Sequence, residues 1–232
     1  MLRKKAGERQ SYYQSDNEEQ NSRQKLGLFA LQKQLQVLRQ KELLLVISFI
    51  SAGVLGRILM QPLPSIEPIT FFAILAGGLF GWKKGFITGA SAAYLSNFFM
   101  FGGQGPWTLF QMLGFGIAGF LGGFLRNKAK IPECMMIAAI ATLLFELIMN
   151  FSSIIFIPNA IFSVFFLAVP FMLVHLVSNI AFSALLPKIK QYIYEKGSFD
   201  EKEICMEMLK TFKNLKNIRK EGKSPSEDGG NQ

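Results

Sequence analysis

The sequence predicts an all-α membrane protein with six transmembrane helices and both termini in the cytoplasm. Three features predict this fold: an apolar middle, a polar segment at each end, and basic residues in alternate connections. Of the 232 residues, half are hydrophobic and 18% are charged, against about 25% charged residues in an average soluble domain. Residues 43–187 contain six Lys or Arg and three Asp or Glu. Such a long stretch with so few charges indicates several helices in a bilayer.

Five segments are readily assigned as spans, because a helix needs about 20 apolar residues to cross the hydrocarbon layer. They are residues 43–60, 69–82, 86–101, 109–125 and 133–154.

The sixth span depends on how Pro170 is interpreted. Residues 159–187 would form a straight helix about 43 Å long, which exceeds one upright span. Proline is favourable in the first turn of a helix and costly in its interior. We therefore predict that span six begins at Pro170 and ends near Pro187, with residues 155–169 as an outer loop or half-helix. The alternative is a single tilted and kinked helix.

The connections between these spans alternate in their content of Lys and Arg. Residues 61–68, 100–108 and 155–169 contain none, whereas residues 82–85 and 126–131 contain two and three. Cytoplasmic loops are enriched in Lys and Arg. The sequence therefore predicts that the basic turns and both termini lie in the cytoplasm and that the other three loops face outward.

A charged tail precedes the predicted membrane domain of residues 43–187, and a second one follows it. Residues 1–42 are predicted to be a cytoplasmic N-terminal tail with an amphipathic helix at 25–41. Residues 188–232 are predicted to be a cytoplasmic C-terminal tail with a second such helix at 200–220. Basic amphipathic helices of this kind usually lie on the inner leaflet. The pI of about 9.6 follows from these tails and turns, so we expect no nucleic-acid partner.

Small residues recur at four-residue spacing, which permits close approach of helix backbones in lipid. Thirteen of the 21 glycines lie between Gly77 and Gly123, and we predict tight internal packing of spans two to four. Span one carries the stripe Ser48, Ala52 and Gly56. For that stripe, internal packing and contact with another membrane subunit are both open.

Polar side chains inside spans are costly and are frequently functional. His175 and Asn179 are one helical turn apart, and Arg57, in the last turn of span one, is expected to extend to the outer surface. The clustering of these side chains towards the outer face favours a binding pocket, although hydrogen bonding between helices is the alternative. The candidate binding residues are Arg57, Asn97, Gln104, Trp107, Gln111, Glu146, Asn150, His175 and Asn179.

The sequence contains no recognisable catalytic or metal-binding constellation. His175 is the single histidine, and it has no Asp, Glu or Cys partner at metal-ligand spacing. No phosphate-binding loop of the G-x-x-x-x-G-K-[ST] type and no nucleophile with a matched base is visible. Cys134 and Cys205 are predicted to be free thiols. We therefore expect no enzymatic activity, no metal and no cofactor.

The segment Gly105-Pro106-Trp107-Thr108, with Gln111-Met112 after it, and several shorter motifs resemble those of a known family, the S components of energy-coupling factor (ECF) vitamin transporters. That segment is the most specific of them, and the similarity covers about residues 43–187. The tails lie outside that pattern. The remaining motifs are Gly56-Arg57, Pro64-Ser65-Ile66-Glu67-Pro68-Ile69-Thr70, Ala76-Gly77-Gly78-Leu79-Phe80-Gly81, Gly85, Gly89, Leu95-Ser96-Asn97-Phe98, Pro170, His175, Ser178-Asn179 and Phe182.

This resemblance implies a six-helix subunit that captures a vitamin or related micronutrient outside the cell. It would work with a transmembrane T component and two cytoplasmic ATPases, and the Ser48, Ala52 and Gly56 stripe would meet the T component. Within the family the pattern is most similar to the group proposed for cobalamin or related corrinoids, although a flat heterocyclic vitamin is also compatible. Two alternatives stay open: a membrane scaffold or assembly protein, and a stand-alone small-molecule carrier.

Overall fold

A computed structural model describes residues 2–125, 129–156, 161–197, 206 and 210, and the regular elements in this part of the chain are all α-helices. The all-α prediction is therefore confirmed. The helices are α1 (Leu2–Leu59), α2 (Ile69–Phe80), α3 (Trp82–Asn97), α4 (Trp107–Gly122), α5 (Ile131–Phe156), α6 (Ile161–Ser183) and α7 (Leu186–Gly197).

The chain divides into two units. Residues 42–198 form one compact unit, which contains the end of α1 and the helices α2 to α7. Of the other unit, the structure describes residues 2–41 as the beginning of α1, together with Met206 and Lys210. The helix predicted at 25–41 is thus continuous with the first predicted span. The predicted helix at 200–220 lies outside the described residues, apart from Met206 and Lys210.

Proline marks the start of four helices. Pro68 and Pro106 directly precede α2 and α4, while Pro132 and Pro187 are the second residues of α5 and α7. A first-turn proline costs little, because its missing N–H would have had no partner within the helix. These prolines explain why the helices begin within a few residues of the predicted spans.

Pro170 is the exception, and the prediction that span six begins there is wrong. Helix α6 runs from Ile161 to Ser183 with Pro170 in its interior, so residues 161–169 belong to it rather than to a loop. Packing against α5 holds the helix on both sides of the proline. Phe165 contacts Phe151 before it, with ring centroids 6.3 Å apart, and His175 bonds to Glu146 after it. Interior proline is tolerated where neighbouring helices compensate for the lost hydrogen bond.

Three segments are long and apolar enough to cross a membrane: Lys25–Leu59, Ile131–Ser153 and Phe165–Glu195. Each contains a window with a mean hydropathy of 2.0, of which only 28%, 28% and 11% is buried within the protein. Apolar side chains that face outward over such lengths are typical of helical membrane proteins. Helices α2 and α4 are apolar but shorter.

Three pairs of consecutive helices are antiparallel neighbours. Gly53 and Gly56 of α1 lie against Ile69 and Pro68, at the start of α2. Gly85 and Gly89 of α3 lie against Gly119 and Phe115 of α4 in reverse order. Helices α5 and α6 pair in the same sense, with Asn179 on Thr142 and His175 on Glu146. This part of the chain is therefore an up-and-down bundle.

Basic side chains gather at one end of this bundle. Lys84 forms an ion pair with Glu42, so the start of α3 lies beside residue 42 of α1. Lys190 of α7 donates to the Leu125 carbonyl oxygen at 3.2 Å, and the Tyr194 hydroxyl donates to the Leu79 carbonyl oxygen at 3.3 Å. Arg57 is near the other end of the bundle, where it contacts the end of α3.

The backbones of α2, α3 and α4 are in direct contact at glycine. A Cβ atom built on Gly77 or Gly85 would collide with the Gly119 carbonyl group, and one on Gly119 would collide with the Gly85 carbonyl. The predicted internal packing of spans two to four is confirmed. These helices approach so closely only because their contact positions lack side chains.

Replacement of Gly119 by alanine is expected to destabilise the bundle. The new methyl group has no room between two backbones, and overpacking typically costs about 1–3 kcal/mol. In a protein of this size that corresponds to a decrease of roughly 2–10 °C in the apparent Tm. Thermal unfolding of the purified protein in detergent measures the effect. Gly102→Ala is the matched control, because nothing lies within 4 Å of the added atom. Equal stability of the two variants would contradict the close contact.

Candidate binding site

Arg57 is the centre of a buried polar network at the end of α1. Its Nη1 donates to Ser96 Oγ and to Asn97 Oδ1, both at 2.9 Å, and its Nη2 lies 3.4 Å from Glu67 Oε1. Only 4% of the Arg57 side chain is exposed. The prediction that Arg57 extends to the outer surface is therefore wrong. Its guanidinium turns inward because α3 and the loop after α1 supply three oxygen acceptors, which replace water.

Asn97 extends this network to α4. Its Nδ2 donates to Thr108 Oγ1 at 3.0 Å and to Gln111 Oε1 at 2.7 Å. Thr108 Oγ1 also accepts from the Gly105 N–H at 3.2 Å. The loop between α3 and α4 is thus bonded to the same group of side chains that surrounds Arg57.

A second polar group lies between α5 and α6. His175 Nδ1 is 2.6 Å from Glu146 Oε1, and one turn along, Asn179 Nδ2 donates to Thr142 Oγ1 at 2.9 Å. His175 and Asn179 are each only 2% exposed. With Glu146 ionised, Nδ1 of His175 is the donor, because an ionised carboxylate only accepts hydrogen bonds, and in the neutral imidazole Nε2 is then an acceptor.

Aromatic side chains connect the two polar groups. Cζ of Arg57 lies 5.6 Å from the centroid of the Phe115 ring. The Phe115 and Phe145 centroids are 4.4 Å apart, and His175 meets Phe145 edge-on at 5.3 Å. We call Arg57, Gln61, Phe115, Phe145, His175 and Asn179, with the residues hydrogen-bonded to Arg57, His175 and Asn179, the central cluster.

Several buried polar atoms near the central cluster have no hydrogen-bond partner within the protein. Among the described residues, such atoms are Arg57 Nε, Gln61 Nε2, Glu67 Oε2, His175 Nε2 and Asn179 Oδ1. A buried polar atom without a partner costs about 1–3 kcal/mol. All five belong to the loop after α1, to Arg57 beside it, or to the buried face of α6. The set includes both donors and acceptors, so it is suited to a ligand that carries both.

The loop between α1 and α2 contacts α6 through Ser65. Ser65 has a φ of 63°, a left-handed conformation that is uncommon for a residue with a side chain. Its carbonyl oxygen lies 3.5 Å from the Ser178 hydroxyl on α6. Strained backbone of this kind persists only where surrounding contacts enforce it. The loop is therefore held in a defined position between α1 and α6.

The structure separates the predicted binding residues into an inner and an outer set. Arg57, Asn97, Gln111, His175 and Asn179 lie in or beside the polar networks, and Glu146 is bonded to His175. The outer set is different. The exposed Gln104 donates to the Tyr94 carbonyl oxygen at 2.8 Å, and the partly exposed Trp107 ring covers Gly105. Asn150 lines a groove between α5 and α6 instead.

The three residues of the predicted contact stripe on α1 differ in exposure and in contacts. Ser48 is exposed, and its hydroxyl donates to the Leu44 carbonyl oxygen of its own helix at 2.8 Å. Ala52 is half-buried, and Gly56 lies against the Pro68 ring. Gly56 is thus used for internal packing, while Ser48 stays on the outer side of the helix.

One comparison with known proteins gives a match. The profile of a family of unknown function, DUF6580, matches residues 38–198. The chain belongs to this family. No curated protein and no solved structure matches it. The DUF6580 region covers the whole of the compact unit of residues 42–198, including the central cluster.

Some residues of these polar networks were absent from the sequence-based selection. Glu67 is the counter-ion of Arg57, and Ser96, Thr108 and Thr142 complete the hydrogen bonds. Gln61 supplies one of the unpartnered atoms. Glu67 could have been found, because it is the one charged residue in the loop 61–68. The hydroxyl residues carry no such signal, since Ser and Thr also bond to their own helix.

Replacement of Arg57 by methionine is expected to destabilise this family member strongly. It would leave the Glu67 carboxylate without its counter-ion, and removal of one partner from a buried pair costs about 3–5 kcal/mol. The double variant Arg57→Met, Glu67→Gln is expected to regain part of that loss, because the isolated charge is gone. Thermal unfolding in detergent measures both variants.

Lys83→Met is the control for that experiment. Lys83 is also cationic, and its Nζ lies 5.3 Å from the Trp82 ring, but the residue is exposed. Its replacement should change the Tm little. If the double variant were no more stable than Arg57→Met alone, the loss of stability would not come from an unpaired Glu67 carboxylate.

Proposed function

We propose that this protein is the substrate-binding membrane subunit of a micronutrient importer, an S component of the ECF type. The observation that carries the proposal is the group of five buried polar atoms without partners at the central cluster. A protein that keeps such atoms pays a stability cost, which a bound ligand with complementary groups would offset. The motifs quoted above, in particular Gly105-Pro106-Trp107-Thr108 with Gln111, support the same assignment.

The chemistry of the cluster favours a small polar ring compound as the substrate. Arg57 Nε and Gln61 Nε2 are donors, whereas Glu67 Oε2 and Asn179 Oδ1 are acceptors. Phe115 and Phe145 provide aromatic surface beside them. A vitamin-like heterocycle carries acceptors, donors and a flat π-face, and so matches all three elements. Cobalamin or a related corrinoid is the first candidate that the sequence resemblance suggests.

We further propose six membrane passes with both termini in the cytoplasm. The antiparallel order of successive helices is the order that such a topology requires. The grouping of Lys84 and Lys190 at one end agrees with the positive-inside rule. Helices α2 to α4 contain 12 to 16 residues and are about 18–24 Å long, so the polar loops at their ends would lie partly within the bilayer. The central cluster would then open outward.

Coupling to a T component and two ATPases completes the proposal. The sequence has no phosphate-binding loop of its own, so ATP hydrolysis would have to come from partners. The exposed side of α1 around Ser48 is available for a neighbouring membrane helix. Uptake by proteoliposomes without ATPases would instead indicate a stand-alone carrier. A role that depends on the tails and not on the central cluster would indicate a scaffold.

Cysteine accessibility in intact cells tests the topology. Gln104→Cys and Lys84→Cys are made in a background where Cys134 and Cys205 are alanine. A membrane-impermeant thiol reagent is expected to label residue 104 and not residue 84, because the two lie on opposite sides. Permeabilised cells provide the control, in which both positions should react. Labelling of both, or of residue 84 alone, in intact cells would contradict the proposed orientation.

Ligand binding tests the function itself. The purified protein in lipid nanodiscs is titrated with a panel of vitamins that includes cobalamin, and binding is read from the shift in Tm and by native mass spectrometry. Asn179→Leu is the informative variant. It removes a buried oxygen that has no partner among the described residues, which favours stability, and also the bond from Asn179 Nδ2 to Thr142, which opposes it, so binding is compared at the measured Tm of each free protein. Binding should weaken by at least about tenfold.

Ser48→Ala is the matched control for binding, because Ser48 bonds only to its own helix and lies outside the cluster. It should bind like the parent protein. If the folded protein bound no member of the panel, the substrate-binding proposal would fail. If Asn179→Leu bound as well as Ser48→Ala, the ligand would not be at the central cluster.

A further inference from the structure

A groove between α5 and α6 lies beside the central cluster and has different chemistry. It has a volume of about 690 Å³ and extends from Ile140 to Asn150 on α5 and from Phe165 to Met172 on α6. This volume falls within the range of about 300–1,000 Å³ that is usual for small-molecule sites. Glu146 and Asn150 are its polar lining residues, and the remaining lining is apolar.

The groove opens sideways, on the side of the two helices that carries exposed apolar residues. Leu143 and Leu147 on α5 are 47% and 45% exposed, and Phe166 and Val169 on α6 are 79% and 43% exposed. Both helices belong to segments long and apolar enough to cross a membrane. An occupant would therefore enter from the hydrocarbon phase and needs an apolar body.

When ionised, Glu146 gives the groove a single negative charge. It is the only Asp, Glu, Lys or Arg between residues 134 and 187. One of its oxygens accepts from His175, on the inner side of α6. A carboxylate has about four acceptor sites, so Glu146 can accept another donor from the groove while it keeps this bond. A neutral imidazole donates a hydrogen bond without cancelling the charge.

A carboxylate at the edge of an apolar groove attracts a cation much more strongly than it would in water, because the surrounding dielectric is low. No basic side chain lines the groove among the described residues. The Asn150 side chain, one turn from Glu146, offers an amide oxygen that can accept a second hydrogen bond from an ammonium group. An anionic head group would be repelled, and a plain hydrocarbon would leave Glu146 without a donor from the groove.

We propose that the α5–α6 groove is a binding site for a hydrophobic amine, with its apolar chain along Phe165, Phe166 and Met172 and its ammonium group on Glu146. This proposal does not rest on the proposed micronutrient site. The two sites share Glu146, which lines the groove and, through its hydrogen bond to His175, also belongs to the central cluster.

Photo-crosslinking in lipid nanodiscs tests this proposal. The probe is dodecylamine with a diazirine on its alkyl chain, and labelled peptides are identified by mass spectrometry. Labels are expected on the segments 140–150 and 165–172. Unlabelled dodecylamine should displace the probe, whereas dodecanol and dodecanoate should compete at least about tenfold less well, because neither supplies an ammonium group to the carboxylate.

Two variants and one control separate binding from folding. Glu146→Gln keeps the shape but removes the charge, and labelling of the groove should decrease about tenfold. Ala168→Phe fills the groove without changing Glu146 and should also prevent labelling. Ala181→Phe adds the same ring to an exposed position of α6 outside the groove, and labelling should persist.

Three results would overturn the proposal. The first is labelling spread over all apolar helices. The second is equal competition by the amine, the alcohol and the acid, which would indicate an unspecific lipid chain. The third is full labelling of Glu146→Gln. None of these results bears on vitamin binding, which is measured separately, so failure of one proposal leaves the other intact.

Discussion

The architecture of the compact unit depends on the burial of one guanidinium group. Arg57 is removed from water at the end of α1, and the cost of that desolvation is several kcal/mol unless the charge is paired and hydrogen-bonded. Ser96 and Asn97 at the end of α3 and Glu67 in the loop before α2 meet this requirement. The same contacts fix the ends of α1 and α3 side by side and fold the first outer loop over them. Asn97 also bonds to α4, because its side-chain amide donates to Thr108 and Gln111.

The glycine contacts among α2, α3 and α4 complement this polar network. They bring the backbones together along the middle of the helices, with Gly119 facing Gly77 and Gly85. In lipid no hydrophobic force favours one helix pairing over another, so close packing and hydrogen bonds decide it. Helices α2 to α4 are therefore tightly packed against one another. Helices α5 and α6 are held instead by the polar bonds of Glu146 and Asn179, and the groove lies beside those bonds.

The central cluster is part of the structural core and is also the proposed binding site. Most of its hydrogen bonds hold helices together, which supports the interpretation that buried polar residues stabilise the bundle. Yet five of its polar atoms have no partner in the protein, and a network optimised for stability alone would satisfy them or replace them with apolar groups. The cost of leaving them unpaired is the physical basis of the proposed ligand site. Phe115 and Phe145 lie between its two halves.

The sequence alone determined most of the helices, because apolar segments bounded by charged or proline-rich connections can adopt few other structures. Even the close packing of α2 to α4 was predictable from glycine spacing. Tertiary structure decided the rest. Pro170 lies inside α6 because contacts at Phe165 and His175 hold the helix on either side of it. Arg57 turns inward because its acceptors, distant in sequence, converge on it. The division of the polar residues between a buried cluster, an exposed turn and a lateral groove likewise depends on which helix faces which, and local sequence does not encode that.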